Sequence, residues 1–198
     1  MTIFGFDLAP SSYIGCSIIL ARTVRLEKDA YIGHLNFINL IDELKMEGSS
    51  KLGKSNWVTG ANSAAEAFRH ESRTAFLLLK RHARVTGSHH IDCTGGVTIG
   101  EFSTVAGVRS QILTHEIDIT LCKQEFGSVE IGDYCFVGTG CIILRDAALP
   151  GCSVLAAGAV LAAKYSEKYS LYGGVPAKPL KRLPHDAKYF HRKHGNVN

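Results

Sequence analysis

The sequence predicts an all-β fold: a parallel β-helix built from repeats of six residues. Three observations predict it. An aliphatic residue recurs at every sixth position in the unbroken run Ile131, Val137, Ile143, Leu149, Leu155 and Leu161. The same period opens the chain at Ile14, Leu20, Leu26, Ile32, Ile38 and Leu44. Four places after the aliphatics of the later run stand small residues or thiols: Cys135, Cys141, Ala147, Ser153 and Ala159. This period matches neither a helical repeat nor the simple alternation of one long strand. It suits a coil with flat sides, each a single short strand, with the aliphatic residue inward and the small residue near the corner. Three sides close a triangular turn of about eighteen residues, and such turns stack.

The elements follow in chain order. Ile-Gly pairs at 14–15, 32–33, 99–100 and 131–132 put glycine where the backbone turns sharply. After the first run the period continues at Leu52 and Val58, resumes at Leu79, Val85 and Ile91, and resumes again at Ile99 and Val105. Each block is in phase internally and shifted from the next, which marks insertions. One spans about 59–78, where Ser63 and Glu66 form a capping-box pattern among Ala64, Ala65, Ala67 and Phe68. That pattern predicts a short helix or helical loop leaving the coil. The second spans about 113–129 and begins Thr114-His115-Glu116-Ile117-Asp118. A loop extruded from a rigid solenoid is where function concentrates. The period ends after Leu161. The chain thus reads as one β-helix domain over 1–183 and a basic, His-rich tail over 184–198, expected to be helical.

A length of 198 residues suits one domain, and 45% apolar with 20% charged residues is a globular composition. The net charge is 22 − 18 = +4. From Lys164 onward there are eight Lys or Arg and two acids, so the remainder is net −2. No stacking motif accompanies the basic end, so no nucleic-acid partner is expected. The six cysteines include no C-x-x-C pair, which excludes a zinc ribbon or a thioredoxin-type motif. The thiols read as reduced, mostly buried and cytoplasmic. The N-terminus lacks a charged region followed by an apolar run, so no secretory signal is expected. The uncharged stretch 147–163 is short for a membrane span, contains Pro150, Gly151 and Gly158, and carries the six-residue period, so no span is expected there.

Over roughly 14–183 the chain resembles the hexapeptide-repeat acyltransferases, and within them the sugar and polysaccharide O-acetyltransferase branch of galactoside, maltose and colanic-acid type enzymes. The repeat carries part of that resemblance. The coil Ile131-Gly132-Asp133-Tyr134-Cys135-Phe136-Val137-Gly138 carries more, with Phe136 where the family usually has Trp. The terminator Gly174-Val175-Pro176-Ala177-Lys178 and the loop pair Thr114-His115 complete it. The resemblance implies a left-handed coil, a homotrimer with active sites between neighbouring subunits, acetyl-CoA as co-substrate and no metal. It implies O-acetylation of a sugar or glycan precursor.

The resemblance makes His115 the expected general base, since an imidazole titrating near neutrality can take the acceptor's proton and pass it to the departing thiolate. Cys122, in the same loop, is the rival nucleophile and the less favoured route. Glu116, Asp118 and Asp92 are the candidates for orienting His115. His89 and His90 stand where the family often has an acceptor-binding Asn, and one of them is expected to line the acceptor cleft. Phe136, Gly138, Thr139, Ala157, Gly158, Ala163 and Lys164 match the family's pantetheine-side positions. Lys178 and Lys181 match its phosphate-side positions, where point charges suit phosphate. The alternatives are a xenobiotic or amino-sugar N-acetyltransferase, a γ-class carbonic anhydrase and a non-catalytic β-helix assembly module. The anhydrase needs three His ligands, and residues 129–163 contain no His.

Overall fold

The computed structural model describes residues 2–3, 5–68 and 71–197. Within them the chain winds as a left-handed parallel β-helix whose three faces are sheets of eight, seven and nine strands. The first face runs from Phe6–Leu8 to Ala148–Leu149 with Thr2–Ile3 added antiparallel at its edge, the second from Tyr13–Ile14 to Ser170–Gly173 with Lys178–Arg182 added antiparallel, and the third from Ile18–Leu20 to Val160–Leu161. Consecutive strands of the chain lie on successive faces, so each strand pairs with the equivalent strand one coil away. On the third face this register stacks Ile38, Val58, Ile91, Ile112, Ile143 and Leu161 in one inward column. All six are at most 1% exposed. Burying a Val, Leu or Ile side chain contributes roughly 1.5–3 kcal/mol, so these columns hold the coils together.

Each coil must turn sharply three times. At the corner between the second and third faces, Leu35, Ser55, Ser88 and Arg109 stack with φ of 60, 57, 58 and 61° respectively. Just inside that corner a buried polar ladder ties neighbouring coils. Asn36 Oδ1 accepts from Asn56 N and Nδ2, Asn56 Oδ1 accepts from His89 N, and His89 Nδ1 accepts from Ser110 N. Buried amide groups at a corner have no strand partner, and these side chains satisfy them.

The excursions differ in detail from the sequence expectation. The segment expected to be helical contains one 3₁₀ turn, Glu66–Phe68, and Phe76–Leu79 is already a strand of the first face. Residues 69 and 70 of that segment lie outside the described residues. The second excursion is a β-hairpin, with His115–Asp118 antiparallel to Lys123–Phe126, and Val129–Ile131 has already rejoined the first face. After the last full coil, Lys178–Arg182 returns antiparallel to Ser170–Gly173, across a turn containing a cis Val175–Pro176 bond. The tail, expected to be helical, has only one 3₁₀ turn, at Lys188–His191, among turns and bends. It lies across the outside of the second face. Tyr189 packs edge-on against Phe136 and donates to the Cys135 carbonyl, and the Arg192 guanidinium sits 3.8 Å from the Tyr189 ring centroid.

Candidate active site

The hairpin leaves the helix at the corner after Gln111–Ile112, and His115 is its first strand residue. Strand His90–Asp92 lies one coil below, with Ile91 paired to Ile112. That register puts Asp92 directly under the point where the hairpin departs. His115 Nδ1 is 2.9 Å from Asp92 Oδ2. The same carboxylate oxygen accepts from Thr114 N at 2.8 Å and from Thr114 Oγ1 at 2.7 Å. Its other oxygen accepts from Thr94 Oγ1 at 2.7 Å. The Asp92 side chain is 5% exposed, whereas that of His115 is 42% exposed.

The electrostatics follow from these contacts. Burial pushes the Asp92 carboxyl up, but the hydrogen bonds from His115, Thr114 and Thr94 outweigh it and hold it well below the usual carboxylate range. The hydrogen bond to Asp92 raises His115 above the ordinary imidazole value, against its own burial and the nearby Arg73 charge. An ionised carboxylate can only accept, so Nδ1 of a neutral His115 carries the proton and Nε2 presents a lone pair. Among the described residues nothing hydrogen-bonds to that Nε2. The arrangement is a partly exposed base with its tautomer fixed by a buried acid.

The other two candidate acids are turned elsewhere. Glu116 Oε1 lies 2.7 Å from Arg145 Nη2, and Arg145 also binds Glu125 at 2.9 Å. Asp118 Oδ1 accepts from Thr120 N and Leu121 N and closes the hairpin turn. Cys122 lies in that turn, at the opposite end of the hairpin from His115. The adjacent histidines separate as strand geometry requires. His90 faces outward against Trp57, with ring centroids 5.6 Å apart. His89 is 2% exposed, its Nε2 2.9 Å from Thr86 Oγ1. Burial pushes its imidazole down to about 4. His89 therefore sits within the interior ladder and reaches only the floor of a groove on the third face.

Thr139, Ala157 and Gly158 lie exposed at the corner between the second and third faces, where Gly158 N donates to the Thr139 carbonyl. A Cβ added at Gly158 or at Gly140 would meet nothing within 4 Å, so this corner is bare. Gly138 is tightly packed under Ala157. Ala163 and Lys164 lie at the next corner, where Ala163 O accepts from Ala148 N. Lys178 and Lys181 are exposed on the final antiparallel strand. Phe136 stands apart, covered by the tail on the second face.

Arg73 is a site residue that sequence reasoning did not find. Its guanidinium donates to the carbonyls of Ala61, Asn62 and Thr94. It also sits 4.3 Å from the Phe68 ring centroid and 5.6 Å from that of Phe126. Phe68 and Phe126 meet edge to face at 5.7 Å. The first excursion is thereby fastened to the base of the hairpin beside His115. Nothing in the spacing signals this contact. Among the described residues, no group of three or more His, Cys, Asp or Glu is placed to hold a metal ion, and no helix is long and apolar enough to cross a membrane.

No family model matches the sequence, and no curated protein matches it. Solved structures do. A point mutant of AntD, an N-acyltransferase from Bacillus cereus, in complex with dTDP and coenzyme A, superposes with a TM-score of 0.60 at 12% identity, covering 91% of this chain and 88% of that one. The hexapeptide-repeat-containing acetyltransferase VCA0836 from Vibrio cholerae superposes with a TM-score of 0.52 at 16% identity, covering 71% of each chain. The likeness shows the shared hexapeptide-repeat fold.

Proposed function

We propose that the protein is an acyltransferase that moves the acetyl group of acetyl-CoA to a hydroxyl of a sugar or glycan precursor. The observation that carries this reading is the His115–Asp92 pair at 2.9 Å, with a free Nε2 on a projecting hairpin. Acyl transfer to an alcohol needs that proton acceptor. Nε2 takes the hydroxyl proton as the oxygen attacks the thioester carbonyl. The C–S bond then breaks, and the proton passes to the departing thiolate. Asp92 stabilises the transient imidazolium and keeps the ring in place. The shared fold supports the reading, since the neighbours are an N-acyltransferase holding coenzyme A and an acetyltransferase. The bare corner at Thr139, Gly140, Ala157 and Gly158 suits the close approach of a pantetheine chain. Lys164, Lys178 and Lys181 are available for phosphates.

The same proposal includes a homotrimer. Its support is exposed apolar surface: Ile117, Ile119 and Leu121 on the hairpin are 65, 90 and 66% exposed. Six free cysteines suit a reducing, cytoplasmic setting.

The test is His115→Ala, assayed by thiol release from acetyl-CoA with sugar and amino-sugar acceptors. Turnover should fall by about 10²- to 10⁴-fold, the usual worth of a positioned base. CoA affinity measured by calorimetry should stay unchanged. Near-wild-type turnover would remove His115 from the mechanism. No heat with CoA or acetyl-CoA would remove the transferase reading.

A further inference from the structure

A groove on the third face is lined by Trp57, Ser88, His90, Arg109 and Gln111. The mechanism above does not use it. Trp57 is 57% exposed, although large aromatic side chains usually bury most of their surface. It meets His90 at a tilt, with centroids 5.6 Å apart, and Phe37 edge to face at 6.2 Å, and more than half of it still stays open to solvent. Arg109 projects from the corner above it. Among the described residues its guanidinium makes no ion pair or hydrogen bond. Elsewhere on the surface arginines are paired, as Arg25, Arg81, Arg145 and Arg182 are. The groove therefore combines a flat apolar platform, a cation able to grip a carboxylate or phosphate with two parallel bonds, and amide and hydroxyl groups. It also adjoins the reactive pair. His90 and Asp92 belong to one strand and face the same way, two residues and about 6.6 Å apart.

We propose that this groove binds an anionic sugar, with a sugar ring on Trp57 and its phosphate or carboxylate on Arg109. This deepens the acetyl-transfer reading by naming the acceptor class, and it rests on that reading for the role of the bound sugar. A neutral sugar would lack the anchor.

Trp57 is the sole tryptophan, so intrinsic fluorescence reports this groove directly. The full-length protein, without CoA, is titrated with glucose 1-phosphate, glucuronic acid and glucose. At low salt at least one anionic probe should change the emission at a concentration at least tenfold below that needed for glucose, and raising salt should shrink the difference. Which of the two does so distinguishes phosphate from carboxylate. Arg109→Asn keeps the corner, because Asn tolerates its positive φ. It should abolish the anion preference and leave glucose unchanged. Equal response to all three probes, no response, or an unchanged preference in Arg109→Asn overturns the proposal. Anion binding without thiol release from acetyl-CoA would leave this site standing and sink the transferase reading. Thiol release with neutral sugars alone would do the reverse.

Discussion

Asp92 shapes the chemistry of His115 in two ways, by fixing which nitrogen carries the proton and by raising the imidazole's affinity for it. Catalysis by a base requires the neutral ring. The acid limb of the pH–kcat/KM profile should therefore lie above the ordinary imidazole value of about 6.5. Asp92→Asn should move that limb to lower pH and reduce the plateau by about 10²- to 10⁴-fold, because the amide does not enforce the tautomer. A limb that stays in place would show that His115 is not the titrating base. Stability should respond with opposite signs at the two groups. The raised His115 contributes stability that is present below its unfolded value and lost as pH rises through the folded one. The depressed Asp92 contributes stability that is present above about pH 4 and lost as pH falls. His115 was legible in the sequence as the head of an insertion, but its partner was not. Glu116 and Asp118 are nearer in the chain, and only the register of Ile91 on Ile112 singles out Asp92. The histidine pair had the same limit: alternation separates His89 from His90, but which one faces inward depends on the phase of the coil.

The two excursions act together at the level of elements. A hairpin standing alone on a solenoid has little to hold it, since an isolated two-stranded unit is marginal in water. Here Phe68 and Phe126 meet beneath Arg73, and Lys123 reaches Glu71 at 3.2 Å. Arg73→Ala should leave three backbone carbonyls without this donor and speed amide exchange at the hairpin base, including Gly127. It should lower kcat by about 10- to 10²-fold through misplacement of His115. It should also shift the acid limb to higher pH, opposite to Asp92→Asn, because the Arg73 charge opposes protonation of His115. A purely structural role would leave the limb where it is. The sequence located both excursions from phase breaks. It misjudged the first as more helical because local propensity over 63–68 was read without the pull of the neighbouring sheet, which claims Phe76–Leu79.

Over the whole molecule the three faces are dressed differently. The first carries charge, with Arg25 paired to Glu43 and Lys45 to Glu47. The second is covered by the tail along Phe136 and Val154. The third and the hairpin keep their apolar groups in water. If the hairpin meets other subunits, Ile119→Asp should convert a trimer into monomers at equal concentration, read as a threefold drop in mass by sedimentation equilibrium. An unchanged mass would place the contact elsewhere. The coil itself was legible because stacking geometry imposes its period on the residues. The course of the tail was not, because no period governs a single crossing strand. The corners show what that geometry leaves free. Leu35, Ser88 and Arg109 share one left-handed backbone conformation near 60° although their side chains have nothing in common. The stack, not residue preference, sets the bend. Leu35 is 71% exposed, so Leu35→Asn should relieve local strain of about 1 kcal/mol and raise Tm by about 2–4 °C. The corner row is thus a tolerant margin of the molecule: its side chains can be exchanged one at a time for modest strain, and new surface chemistry can be acquired there without refolding the coil.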